Sequence, residues 1–505
     1  MQNNKISIIS QLQKYCTKLI KAVQKNKKHI LYKYMPTSIM LALSAYIYSL
    51  LRGVKDSILV PSLGAELISF VKFYGVFPST IIFFICFSKL VNILSRDKLY
   101  YCISSFFIGF FLLYAFVLGP YADFFHPDLS SWMISLPKFM YYPIIMLQNW
   151  TVSLFYVMSE LCGTVLLTFL FWQFANDLYN IREAKKTYVL FAMVGQLGLI
   201  TAGLVQNNIS VHFIDSSSQG ASWNATIQWM MLSIALVGFL LMLLYRWIYK
   251  NVLLNPELCD RKHNVVTEKV SLSVVESFKY VFSSRYLWLI MVIVFCYGLG
   301  INMIESVWKD QLRMQYPSQN SYSAFMGTFH IYFGMFTMCI MLCGAYVLRS
   351  FKWIVAALCT PIVAGSTGAI FFAVLIFQDF FKPFLISLDV SILYMAVMLG
   401  SLQVMIFKAF NYAFVDATKE MAFIPLNREL RTKGKAAVDV IGGRFGKSFG
   451  AILQQLMFQF ISPNISDLTY EICIVFIVVM CMWIYSVRAL NREFLKVTGK
   501  CIKDI

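Results

Sequence analysis

Several charged side chains stand inside apolar runs, and their types and spacing suit the binding of a polyanion. Arg52, Lys55 and Asp56 fall within LLRGVKDSILV, Glu160 within SLFYVMSELCGTVLLTFLFW, and Glu305 with Lys309 within YGLGINMIESVWKDQL. An ionisable group inside a membrane span costs about 2.5–3.5 kcal/mol on insertion scales, so each needs a partner or a task. At helical spacing Arg52 pairs with Asp56, and Glu305 with Lys309. Lys55 is then the less compensated cation. A position at the membrane edge is the competing account of the Arg52–Asp56 group. It serves poorly for Glu160, which has apolar residues for two turns on either side.

A second basic group lies between Val415 and Gln455. GGRFGKS invites a phosphate-loop reading, which fails: the motif needs Gly five residues before its Gly-Lys pair, Ile441 stands there, and no strand precedes it. Read as a helix, Gly442, Gly446 and Gly450 make a smooth face for close packing, while Arg444 and Lys447 project elsewhere. Lys435 and Asp439 form a pair at i and i+4. Lys447 has no equally obvious local acid and is the better candidate for an anionic ligand. Cations from the two groups, gathered in one core, suit phosphates, because Arg offers a bidentate fork and Lys a compact charge. Glu160 and Glu305 then either neutralise those cations in the empty site or bind a proton. The first permits exchange without a coupling ion and the second permits proton symport; both stay open.

The elements that must position these groups follow from composition. The 505 residues are 59% hydrophobic and only 13% charged, where a soluble domain carries about 25% charge. Apolar runs near 38–57, 67–94, 99–119, 139–171, 187–206, 227–249, 284–304, 322–347, 353–378, 385–407, 437–461 and 467–487 predict twelve transmembrane helices, the fourth with room for an amphipathic approach before its span. The net charge of +18 sorts by loop. Basic residues fill both tails and every second connection, including Arg182, Lys185 and Lys186, the 250–284 stretch, and Lys408 to Lys435. By the positive-inside rule both termini are cytoplasmic. The expected organisation is an all-α polytopic membrane protein: a basic tail (1–37), a six-helix half (38–249), a cytoplasmic linker (250–284), a second six-helix half (285–487) and a basic tail (488–505). This is a major-facilitator-like plan with two parallel repeats around a midplane site. Lys185 before Gly195 and Gly198, against Lys433 before Gly443 and Gly446, supports the repeat. No loop is long enough for a nucleic-acid-binding domain. The twelve cysteines and five histidines form no disulfide or metal-ligand pattern, and no cofactor is expected.

LRGVKD, SELCGTVLLTFLFWQFAND, YGLGINMIESVWK, VDATKEMAFIPL and KGKAAVDVIGGRFGKS resemble, in order and over about residues 33–492, the motifs of the ATP/ADP translocases of obligate intracellular bacteria and plastids. The resemblance implies a twelve-span carrier that exchanges nucleotides, with host ATP entering and ADP leaving, and phosphate as a further cargo. It implies roles for Lys55, Glu160 and Glu305. The last basic position of the family falls on Lys435 or Lys447, and the local Lys435–Asp439 pairing favours Lys447. Three residues depart from the motifs: Cys162 after Glu-Leu, Val415 before Asp-Ala-Thr-Lys, and Phe449 after Gly-Lys-Ser. Asn302, one turn before Glu305, is placed to reach a base or ribose.

The expected activity is therefore ATP/ADP exchange by alternating access through a cationic midplane site made by Lys55, Arg52, Lys447, Arg444, Glu160, Glu305, Asn302 and Lys435, with Asp56, Lys309 and Asp439 as ion-pair or gating groups. The expected setting is a bacterial inner membrane, with lipid contacts and a monomeric carrier. The alternatives are a proton-coupled or broad-specificity importer of GTP, CTP, UTP or NAD, a peptide or drug carrier of the same architecture, and a polytopic membrane enzyme. The scattered histidines argue against the enzyme.

Overall fold

The computed structural model describes residues 30–137, 140–179, 181–214, 219–254, 284–426 and 434–503. Among the described residues there is no strand, and twelve long helices carry the chain. The first six are α1 (Tyr32–Leu63), α2 (Leu67–Ile93), α3 (Arg96–Leu118), α4 (Trp150–Leu178), α5 (Ile181–His212) and α6 (Ser222–Leu253). The second six are α7 (Arg285–Gln315), α8 (Gln319–Ser350), α9 (Trp353–Ile376), α10 (Ile392–Phe423), α11 (Lys435–Phe460) and α12 (Ser466–Gly499). All but α5 and α11 are long and apolar enough to cross a membrane. Those two occupy the same place in each set of six and carry polar residues such as Gln206, Asn207, Gln454 and Gln455. Outward-facing stripes, including Phe77, Ile81 and Ile85 of α2 and Leu236, Leu240 and Leu243 of α6, present apolar surface at helical spacing.

Several boundaries differ from the hydropathy reading. The fourth apolar run divides at Asn149 into a short helix, Tyr141–Gln148, and α4. Helix α1 continues through Pro61 to Leu63 rather than ending at 57, α7 continues to Gln315, and α10 extends through Lys408 to Phe423. Lys408 therefore lies within a helix and not in the cytoplasmic loop expected for it. In α1, α7 and α10 short charged stretches interrupt the apolar pattern, while helical backbone hydrogen bonding carries on past them.

The two sets of six use the same packing plan. Helix α1 packs against α4, α5 and α6, and α7 packs against α10, α11 and α12. Between the sets, α5 meets α8 and α2 meets α11. Absent side chains allow the closest approaches: a Cβ built on Gly198 of α5 would overlap the Ala42 carbonyl oxygen of α1, and one on Gly446 of α11 would lie 2.8 Å from the Phe295 carbonyl oxygen of α7.

Hydrogen bonds between the sets gather at the end where α1, α5 and α7 finish. Asn207 Nδ2 donates to the Ala324 carbonyl at 2.9 Å and to Thr328 Oγ1 at 2.8 Å, and Ser210 Oγ to Ser323 Oγ at 2.8 Å. On the other seam, Gln455 Nε2 donates to the Ser69 carbonyl at 2.9 Å, the Ile465 amide to Glu66 Oε1 at 3.3 Å, and the Tyr142 hydroxyl to the Pro463 carbonyl at 2.7 Å. The opposite end, among the described residues, is held by pairs within one set: Lys33–Glu183 at 2.8 Å, Arg96–Asp177 at 2.5 Å and Lys435–Glu420 at 2.6 Å.

Gly198→Ala tests this packing. Overpacking against backbone is expected to destabilise by about 1–3 kcal/mol, read as a lower unfolding temperature in detergent. Gly109→Ala on α3 is the control, because an added Cβ there meets nothing within 4 Å.

Candidate functional site

Arg52 and Glu305 each sit about three helical turns in from the ends of their helices at Leu63 and Gln315. At this depth α1 and α7 face one another and exchange charge. Arg52 Nη2 donates to Glu305 Oε1 at 3.0 Å, and Lys309 Nζ lies 2.8 Å from Asp56 Oδ2. These two pairs tie the first six helices to the last six. Lys55 turns within its own half: its Nζ is 2.6 Å from Glu160 Oε1 of α4, 3.5 Å from Asp56 Oδ1 and 3.7 Å from the centre of the Tyr156 ring. Lys408 of α10 also pairs with Glu305.

The same-helix pairs expected from sequence are thus replaced. Arg52 engages Glu305 rather than Asp56, and Glu305 engages Arg52 and Lys408 rather than serving as the partner of Lys309. Lys55, expected to be the less compensated cation, contacts two carboxylates and an aromatic face. Helical spacing brings i and i+4 side chains near one another, but in a low-dielectric interior each charge on one helix needs an opposite charge on the helix facing it. Cross-helix pairs neutralise both surfaces at once.

Burial makes the pairing obligatory. Lys55, Asp56 and Lys309 are almost wholly buried, and Glu305 and Arg52 are partly accessible. Lys72 of α2 joins the group: its Nζ donates to Asn302 Oδ1 at 3.1 Å, and its electrostatic neighbours are Glu305, Lys309, Lys55 and Glu160. Among the described residues five cations (Arg52, Lys55, Lys72, Lys309 and Lys408) face three carboxylates (Asp56, Glu160 and Glu305), an excess of two positive charges. Local widening of helices accompanies the cluster. Lys72 lies in the π-helical turn Val71–Val76, Glu160 precedes the π-helical segment Thr164–Phe171, and Lys408 precedes Asn411–Val415. Such turns recur at functional positions because an extra residue per turn re-aims a side chain.

The remaining sequence candidates divide. Asn302 is buried and engages Lys72, while its carbonyl accepts from Gln454 Nε2 at 3.3 Å; Gln454 also donates to Ser306 Oγ at 2.6 Å. Lys435, at the start of α11, reaches Glu420 on the half-exposed end of the molecule. The side chains of Asp439, Arg444 and Lys447 lie outside the described residues. Cys162 and Val415 are buried packing residues, and Phe449 leans on Phe295 with ring centres 5.5 Å apart. Lys72 and Lys408 are the functional candidates that the sequence reading missed. Lys408 stands at the edge of an apolar run, where a lysine reads as a topological marker, and Lys72 lies inside the 67–94 run, whose hydropathy stays high around it.

Comparison with known proteins is consistent with this construction. Residues 9–494 match the family described as TLC ATP/ADP transporter. The chain is 37% identical over 497 residues to ADP,ATP carrier protein 1 of Rickettsia conorii, covering 97% of this chain and 98% of that one. It is 38% identical over 477 residues to ADP,ATP carrier protein 3 of the same organism, covering 92% and 94%. In fold it is similar to a D-xylose–proton symporter, at TM-score 0.54, 13% identity and coverage of 92% and 97%. It is also similar to an inward-facing bacterial homologue of the iron transporter ferroportin, at TM-score 0.57, 12% identity and coverage of 91% and 98%.

Lys309→Met should leave Asp56 buried without its nearest cation and destabilise the protein by about 3–5 kcal/mol. Combining it with Asp56→Leu should recover most of that loss, since Lys55 keeps Glu160. Thermal unfolding of the two singles and the double gives the coupling directly.

Proposed function

The chain belongs to the TLC ATP/ADP transporter family and is a multi-pass membrane transporter that exchanges ATP and ADP, and we propose that the charge cluster between α1 and α7 is its phosphate-binding site. The observation that carries this reading is the excess of two positive charges at mid-depth, spanning the surface between the two six-helix halves. In the empty carrier Glu160, Glu305 and Asp56 stand in for phosphate oxygens on Lys55, Arg52, Lys408 and Lys309. An arriving nucleotide competes for those cations, releases Glu305 from Arg52, and so loosens a bond between the halves. Arg444 and Lys447 of α11 are proposed as further phosphate contacts. Alternating access follows when the halves rock about the bound polyanion.

The positive-inside distribution supports cytoplasmic termini in a bacterial inner membrane, with basic residues against anionic lipid headgroups. With that orientation the hydrogen-bonded end is the outer one, and the arrangement corresponds to an inward-facing carrier. Host ATP entering against ADP is the direction this reading assigns, carried out by a monomer. Each of the three interior carboxylates is engaged by a cation, which favours strict exchange over proton coupling.

Proteoliposomes loaded with ADP test the reading. Labelled ATP uptake should require internal nucleotide, persist in the presence of a protonophore, and be competed by ADP in preference to GTP, CTP or NAD. Lys55→Ala and Glu305→Gln should each lower uptake by at least about tenfold. Collapse of uptake on adding the protonophore would contradict the exchanger reading.

A further inference from the structure

Four of the five cations in the cluster already face a carboxylate; Lys72 does not. Its described polar partner is the neutral side-chain oxygen of Asn302, and among the described residues no carboxylate lies within ion-pair distance of it. Its side chain is only partly buried, it lies in the π-helical turn Val71–Val76, and Glu305 and Glu160 are among its electrostatic neighbours without contacting it. Asn302 is held in turn by the neighbouring α11 residue Gln454.

We propose that Lys72 is the first cation to take the nucleotide's terminal phosphate, and that Asn302 is a positioning residue that keeps its ammonium aimed and un-neutralised. This deepens the exchange reading above and rests on it. A phosphate reaches Lys72 by displacing one neutral hydrogen bond, whereas reaching Arg52, Lys55 or Lys309 requires a carboxylate to give up a cation in a low-dielectric interior. Lys72 therefore sets the initial encounter, and the paired cations engage once the phosphate has brought compensating charge. Asparagine at 302 is essential to this role: an aspartate there would form a charged pair with Lys72 and compete with the phosphate.

The test is ATP uptake kinetics in ADP-loaded proteoliposomes containing the full chain. Lys72→Gln should raise KM for ATP by about tenfold or more with a smaller effect on the maximal rate, and Lys72→Arg should restore most of the affinity. Asn302→Asp and Asn302→Ala then separate ligand binding from bracing. If Lys72 takes phosphate, the aspartate variant has the higher KM, because the lysine is neutralised. If Lys72 only braces α2 against α7, the aspartate holds the brace better than alanine and the order of the two variants inverts. That inversion, or a Lys72→Gln carrier with wild-type KM, overturns the proposal. Should Lys72→Gln fail to fold, the Asn302 pair decides alone. Wild-type protein that does not exchange ADP for ATP refutes the exchange reading itself, an outcome distinct from either.

Discussion

Charges buried in the middle of a bilayer must meet opposite charges, and in this protein the partners are supplied across the surface between the first six helices and the last six. Arg52 with Glu305 and Lys309 with Asp56 join α1 to α7 at the same depth. Neither helix could present its charges to lipid or to an apolar neighbour without a cost of several kcal/mol. The packing of α1 against α4 and of α7 against α10 follows the same requirement, because Glu160 and Lys408 complete the neutralisation on either side. The fold thus keeps its least tolerable residues together, and the same residues are the ones proposed to engage the nucleotide.

On the proposed reading this arrangement links occupancy to conformation without a further device. The ion pairs are satisfied internally, and through them the two sets of six helices are joined. Phosphates, on the same proposed reading, offer the cations an alternative anion that belongs to neither set of six helices, and the carboxylates then lose their hold on the opposite helix. Glycines at 198 and 446 hold α5 against α1 and α11 against α7 at close approach. The polar bonds between α5 and α8, through Asn207 and Ser210, use neutral groups that can exchange partners at modest cost.

Much of this was legible in the sequence. The twelve expected spans correspond to twelve long helices, ten of them apolar enough to cross a membrane while α5 and α11 are more polar, and the unusual residues Lys55, Glu160 and Glu305 announced themselves because a charge inside such a run has few bland explanations. Partner choice was not legible: spacing along α1 and α7 offers the pairs Arg52–Asp56 and Glu305–Lys309, and only the apposition of the two helices shows that each charge has a better partner opposite. Lys72 and Lys408 were obscured for a related reason. Lys408 lies where hydropathy falls away, and the rule that assigns basic residues to cytoplasmic connections accounts for it without asking whether the helix continues past it; Lys72 lies inside the second apolar run, whose hydropathy stays high around a single lysine.

The structure of the carrier with ADP bound, determined by electron cryo-microscopy in a lipid nanodisc, tests the central claim most directly. Phosphate oxygens are expected within hydrogen-bond distance of Arg52 and Lys55, with Glu305 withdrawn from the Arg52 guanidinium. A nucleotide bound elsewhere, with the Arg52–Glu305 and Lys55–Glu160 pairs intact, would contradict it.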